Sequence, residues 1–190
     1  RERVGGRTYS RTISGGVFDL GGQWVGPTQS HMLGLIEEFG LETHPTHVQG
    51  RRVLASDSRR STYSGTIPKL DPWSLVRLHL GISRIEREMK SVPADAPWLA
   101  KRAREWDAMS AEQWVVQHVR RPAAIALIRS AIRVILGAEL GELSFLALLH
   151  YCASSGGLMT LVESEGGHQE MRIVGGAQQI SERLAEQAGT

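Results

Sequence analysis

Between positions 5 and 25 apolar and polar residues alternate with the period of a β-strand. Residues 8–12 and 16–20 flank Ile13-Ser14-Gly15 and predict a hairpin. Thr28 predicts the cap of a helix running to Phe39. Met32, Leu33, Leu35, Ile36 and Phe39 form its apolar face, and Gly40 its stop. Residues 42–47 and 51–55 read as short strands, and 61–64 pairs with the second across the polar turn 56–60. From Asp71 the period becomes helical. Asp71-Pro72 supplies a cap and a first-turn proline, and Leu75, Leu78, Ile82, Ile85 and Met89 carry the helix to Ser91. Pro93 and Pro97 break the chain. Ser110-Ala111-Glu112-Gln113 is a capping box for a helix to Val119. Pro122 begins another to Leu136, and Ser144 caps a third through Ser155 that Gly156-Gly157 ends. Residues 170–174 predict a strand, and Gly175-Gly176 leads into a helix over 178–187.

This order predicts a mixed α/β chain (α+β in its middle) of two lobes, with no internal repeat. The opening residues 1–71 and the returning 165–190 belong to one lobe, and the mostly helical 72–164 is inserted to cover it. At 41% hydrophobic the 190 residues can bury a sizeable core. No run approaches the roughly 18 apolar residues of a membrane helix, and no apolar leader opens the chain. The pI near 9.0 raises the question of nucleic acid. However, net charge is only +2, and Arg84, Arg87 and Lys90 interleave with Glu86 and Glu88, as on a solvated helix face. The only cysteine, Cys152, excludes an intrachain disulfide, which favours a reducing, cytoplasmic setting.

Several other residues carry less chemistry than they suggest. Pro45 spoils any helical metal spacing between His44 and His47, and no acid or thiolate adjoins them. Cys152 closes the apolar run 146–152 and reads as a buried, inert thiol. Ser154 and Ser155 have no base beside them. The tryptophans at 73, 98, 106 and 114 read as core or lobe-interface anchors.

Two glycine pairs, one hairpin apart, hold the informative chemistry. Gly5-Gly6 precedes Arg7, whose guanidinium can pair bidentately with a phosphate, although a plain surface arginine has the same signature. Gly21-Gly22-Gln23-Trp24 follows an apolar strand, so a planar ring or ribityl chain can lie against its backbone; a simple bulge fits as well. Gly26-Pro27-Thr28 then opens a helix, whose first amides add partial positive charge.

Together R-V-G-G-R-T and D-L-G-G-Q-W-V-G-P-T-Q resemble two flavin-contact segments of the flavin-containing monoamine oxidase family, the second closest to bacterial members. The resemblance runs collinearly through Leu33–Glu42, S-V-P-A-D-A-P-W (91–98), E-W-D-A-M-S (105–110) and G-G-H-Q-E-M-R-I-V-G-G-A-Q-Q-I-S-E (166–182), so it spans the chain. It implies an FAD-dependent oxidoreductase that takes hydride equivalents from an amine carbon, with oxygen reoxidising the flavin to give hydrogen peroxide. The partners implied are a small-molecule amine and oxygen. It also implies an FAD-binding, Rossmann-like lobe with an inserted substrate lobe. By this resemblance Arg1 lies near the adenine, Gly6 and Arg7 at the pyrophosphate, and Gly21, Gly22, Gln23 and Trp24 along the ribityl chain and ring. Trp24 and Gln169 border the substrate, and Val134 and Val162 line its cavity. Core or strand roles remain open for these four.

The resemblance also marks what these residues lack. A dinucleotide lobe needs G-x-G-x-x-G and a later acid. Neither is present, and Glu2 does not match the position of that acid. The catalytic lysine and the aromatic cage of the family have no counterpart either. An interior fragment cut at both ends is expected, binding FAD weakly or not at all alone. The alternatives are a desaturase-like or protoporphyrinogen-oxidase-like flavin enzyme, or a non-catalytic remnant.

Overall fold

The computed structural model describes residues 3–56, 59–65 and 67–189. The chain divides into two compact units, Arg1–Gln49 with Glu163–Thr190, and Gly50–Val162. The boundary falls at Gly50 rather than Asp71, because the hairpin of β5 (Arg52–Ser56) and β6 (Arg59–Tyr63) groups with the helices. Asp57 and Ser58, in the expected 56–60 turn, lie outside the described residues.

The discontinuous unit begins with β1 (Ser10–Ile13) and β2 (Gly16–Asp19), paired antiparallel from Ser10↔Asp19 to Ile13↔Gly16. Ser14 and Gly15 make the turn at φ 49° and 82°, the left-handed pair a two-residue hairpin demands. A three-stranded sheet follows, with β7 (Met171–Ile173) between β3 (Trp24–Val25) and β4 (Thr43–Pro45), antiparallel to both. Helices α1 (Ser30–Glu38) and α8 (Gln178–Gln187) complete this unit. Val25, Ile36, Ile173, Ala177 and Ile180 form its core.

Thr28 does not cap α1. The cap position falls one residue later, at Gln29, and carries no side-chain cap bond. The Thr28 hydroxyl instead lies 3.2 Å from His168 Nε2, while Gln29 Oε1 accepts from the Gly26 N–H.

The continuous unit is built around α2 (Pro72–Met89), which packs against α4 (Ala111–Val119), α5 (Pro122–Leu136) and α6 (Phe145–Ser154). Short helices α3 (Ala103–Asp107) and α7 (Leu158–Val162) complete it. The inward stripe of α2 is Ser74, Leu78, Gly81, Ile85 and Met89, so Leu75 faces solvent against expectation. Gly81 is needed there: a Cβ would lie 2.7 Å from Val119 Cγ2. The caps of α4 and α6 are tied together, Ala111 N–H donating to Leu143 O and Phe145 N–H to Met109 O. Trp106 and Trp114 are core residues, whereas Trp73 and Trp98 are 67% and 69% exposed and anchor no core.

Asp71 caps α2 by accepting from Ser74 N–H at 3.0 Å, and hydrogen bonding to the Ser74 side chain, then to that N–H, holds its carboxyl below the ordinary 3.8. A depressed folded-state pKa stabilises the fold above the unfolded value. The contribution should be complete at neutral pH and vanish as pH falls below 3.8. Asp71→Asn should show a smaller acid loss in urea midpoint; an unchanged acid limb would contradict this.

Candidate functional site

Gly5 and Gly6 turn the chain at φ 99° and 50°, and the turn closes with Thr8 N–H donating to Gly5 O at 2.8 Å. Arg3 clasps it from one side. Its guanidinium donates to Gly6 O at 2.9 Å and Thr8 O at 3.1 Å and lies over the Tyr9 ring. With these carbonyls engaged, Arg7 projects outward, exposed, with no hydrogen-bond or ion-pair partner for its guanidinium among the described residues.

The second glycine pair sits directly on the first turn. Leu20 N–H donates to Tyr9 O at 2.7 Å, and Gly22 N–H to Arg7 O at 3.0 Å, prolonging the β1–β2 ladder. Gly21 passes so close that a Cβ would lie 2.0 Å from Arg7 O. On the outer side the backbone is bare. A Cβ on Gly6 meets nothing within 4 Å, and one on Gly22 meets only Thr8 Cγ2, at 3.7 Å. An unpartnered cation is thus flanked by two open stretches of backbone, which suits an anionic ligand carrying a flat or extended group.

A buried polar junction fixes this hairpin to the return segment. Asp19, with its side chain 3% exposed, accepts from Ser10 Oγ–H at 2.5 Å and from Ala177 N–H at 2.9 Å. Ser10 Oγ accepts from Gln178 N–H, and Gln178 Oε1 from Ser10 N–H. The hairpin therefore caps α8 from a distance, supplying the partners that the helix's first amides lack locally. Gly176 is the residue that permits the approach: a Cβ there would lie 2.3 Å from Ser10 Oγ. Arg3, Ser10, Asp19 and Gln178 were missed by sequence reasoning; only Gly175-Gly176 hinted that something comes close. Asp19→Ala should leave a buried amide and hydroxyl unsatisfied and cost about 2 kcal/mol in urea unfolding. A loss near zero would show that water replaces the carboxylate.

Trp24 pairs with Arg172 across β3 and β7, and at 40% exposure it is not the core tryptophan of the alternative reading. Gln23 is half-buried. Gln169 is half-buried in the turn before β7, where Gly26 packs against His168 Cα and Gly167 O. Arg1 lies outside the described residues. Gly6, Arg7, Gly21, Gly22, Gln23, Trp24 and Gln169 thus all belong to the discontinuous unit.

The two valines part company. Val162 lines a cavity in the continuous unit with Leu78, Ile82, Leu127, Ile128 and Ile132, a lining without a charged or hydrogen-bonding side chain. Val134 is 69% exposed on α5 and is not part of that lining. The Cys152 thiol is buried, and burial, with Glu86 second, pushes its pKa up to about 12, so it is no nucleophile at neutral pH. Among the described residues no group of three His, Cys, Asp or Glu could hold a metal, and no helix is long and apolar enough to cross a membrane.

The family described as flavin containing amine oxidoreductase matches residues 1–190. A putative flavin-containing monoamine oxidase of Mycobacterium tuberculosis, AofH, is 38% identical over 189 residues, covering 100% of this chain and 42% of that protein. Putrescine oxidase of Kocuria rosea is 34% identical over 191 residues, covering 100% of this chain and 40% of that protein. A solved structure of putrescine oxidase with putrescine bound superposes with a TM-score of 0.91 at 31% identity, over 100% of this chain and 42% of that one. The chain thus spans about two-fifths of the length of these relatives. With every residue inside the family match and the fold shared, the chain belongs to the flavin-containing amine oxidoreductases.

Proposed function

We propose that this chain serves FAD-dependent oxidative deamination, in which an amine becomes an imine and then an aldehyde while oxygen is reduced to hydrogen peroxide. FAD is the flavin of the family. The carrying observation is the junction of the two glycine turns beside the unpartnered Arg7. The flavin, when bound, supplies the acceptor for the hydride equivalents. The chain's own residues bind and orient it. Arg7 offers a bidentate guanidinium to the diphosphate, and the open faces of Gly6 and Gly22 let the ligand lie on the backbone. Gln23 and Trp24 would border the ring system, and Trp24 with Gln169 would face the amine.

A reducing, cytoplasmic setting belongs to the same proposal, supported by the free thiol of Cys152.

The test is titration with FAD, followed by flavin fluorescence. Weak, saturable binding is expected, and Arg7→Gln should lower the affinity about tenfold, the loss of one charge-assisted contact. Equal affinity in the variant would sink the pyrophosphate role. Peroxide release from an amine panel checks the chemistry.

A further inference from the structure

Three arginines and a tryptophan that the amine chemistry does not use converge in the continuous unit. Trp73 and Arg77 of α2, and Arg120 and Arg121 of the α4–α5 junction, line one open concavity. We propose that it binds a phosphate monoester carrying a flat, unsaturated ring, of the nucleotide type.

The guanidiniums are held in place before any ligand arrives. Arg77 donates through Nε to Val119 O at 2.9 Å and through Nη2 to His118 O at 2.5 Å. Arg120 donates through Nε to Gln117 O at 2.8 Å. Each keeps further N–H donors for a ligand, and immobilisation entropy is already spent. Arg121 has no hydrogen-bond or ion-pair partner among the described residues. The carboxylate acting on it is Asp71, one oxygen of which is taken by the Ser74 N–H in the α2 cap. Positive charge therefore exceeds negative here. A cationic amine is repelled and a dianion attracted.

The second observation is backbone strain. Arg120 stands at the C-cap of α4 with φ 62°, a left-handed conformation that glycine adopts without cost. A residue of φ near +60° that is not glycine, asparagine or aspartate calls for a reason, and such outliers gather at ligand clamps. Here the reason is the guanidinium that the strained position delivers. The indole of Trp73, exposed over most of its surface, supplies the wall on which a planar ring can stack.

The experiment titrates the chain at low salt with inorganic phosphate and with adenosine monophosphate, by calorimetry. Both should bind saturably, the nucleotide about fivefold tighter or more through stacking. Arg121→Gln should weaken both about tenfold. Arg120→Gly is the sharper variant: it relieves the strain, so the thermal midpoint should hold or rise while affinity falls. Trp73→Ala should abolish the nucleotide's advantage and leave phosphate binding as it was. The losses in Arg120→Gly, Arg121→Gln and Trp73→Ala should persist in an Arg7→Gln background, which separates this site from the flavin contact. Unchanged affinity in Arg120→Gly and Arg121→Gln overturns the proposal. So does binding only to vesicles of anionic phospholipid with neither soluble probe bound, since that would make the patch a membrane-facing surface.

Discussion

Gly21→Ala should lose about 3 kcal/mol of folding stability, the upper range for overpacking a tight contact. The new methyl carbon would lie 2.0 Å from the backbone oxygen of Arg7, and backbone cannot swing aside as a side-chain tip can. Relief requires the two turns to separate, which also breaks the bond from Gly22 N–H to Arg7 O. Hydrogen exchange at the Gly22 amide should accelerate before the rest of the unit responds. Gly22→Ala is the control. Its methyl would meet only Thr8 Cγ2 at 3.7 Å, an ordinary contact, so folding should change by less than about 1 kcal/mol. If the flavin lies on that face, Gly22→Ala weakens FAD binding without weakening the fold. A near-neutral Gly21→Ala would mean that the turns are not in contact, and the proposed cradle would lose its basis.

The second large effect lies in the helical unit. Phe145→Ala should cost about 4 kcal/mol and lower the thermal midpoint by about 15 °C. The ring is fully buried, stacked on Trp114 at 4.3 Å and edge-on to Trp106 at 6.2 Å. Removing it leaves a void between two indoles, which are rigid and fill space poorly when a neighbour is lost. The same residue begins α6 and ties it to α4 through Met109 O. Trp98→Ala, also the loss of an aromatic ring, should change stability by less than about 1 kcal/mol because that side chain is largely in solvent. Equal losses in the two variants would show the core to be elsewhere.

These contrasts indicate how far the sequence could be read. Helices whose caps are local were legible almost to the residue. Asp71, the Ser110–Gln113 box and Ser144 each satisfy amides within their own first turn, and Pro122 removes one amide from the first turn of α5. What depended on distant partners was not legible. Strand β3 has two residues and exists because β7 lies beside it. The cap of α8 comes from Ser10 and Asp19, far away in sequence. On α2 the buried stripe includes Ser74 and Gly81, chosen for small size rather than apolarity, so a pattern of large apolar residues picked out Leu75 wrongly. The five-residue helix α3 carries no side-chain cap, and the first amides of α7 donate to Glu86 Oε1 on distant α2, so neither helix announces itself locally. At the candidate site, Gly5-Gly6 was legible as a tight turn. That Gly21 lies against Arg7 was not, because contact between two turns is a property of the closed ladder.

The position of β7 has a consequence for how the chain is made. β3 and β4 are synthesised early, but the strand that joins them is at 171–173, after the whole of Gly50–Val162. At ~10 residues per second the ribosome needs on the order of 10 s to cover that interval. For that time β3 and β4 lack β7 between them, while the helical unit, rich in local contacts, can already fold. Unpaired strand edges invite pairing with other chains. The nascent segment that holds β3 and β4 is therefore where, among the described residues, a chaperone would be needed most.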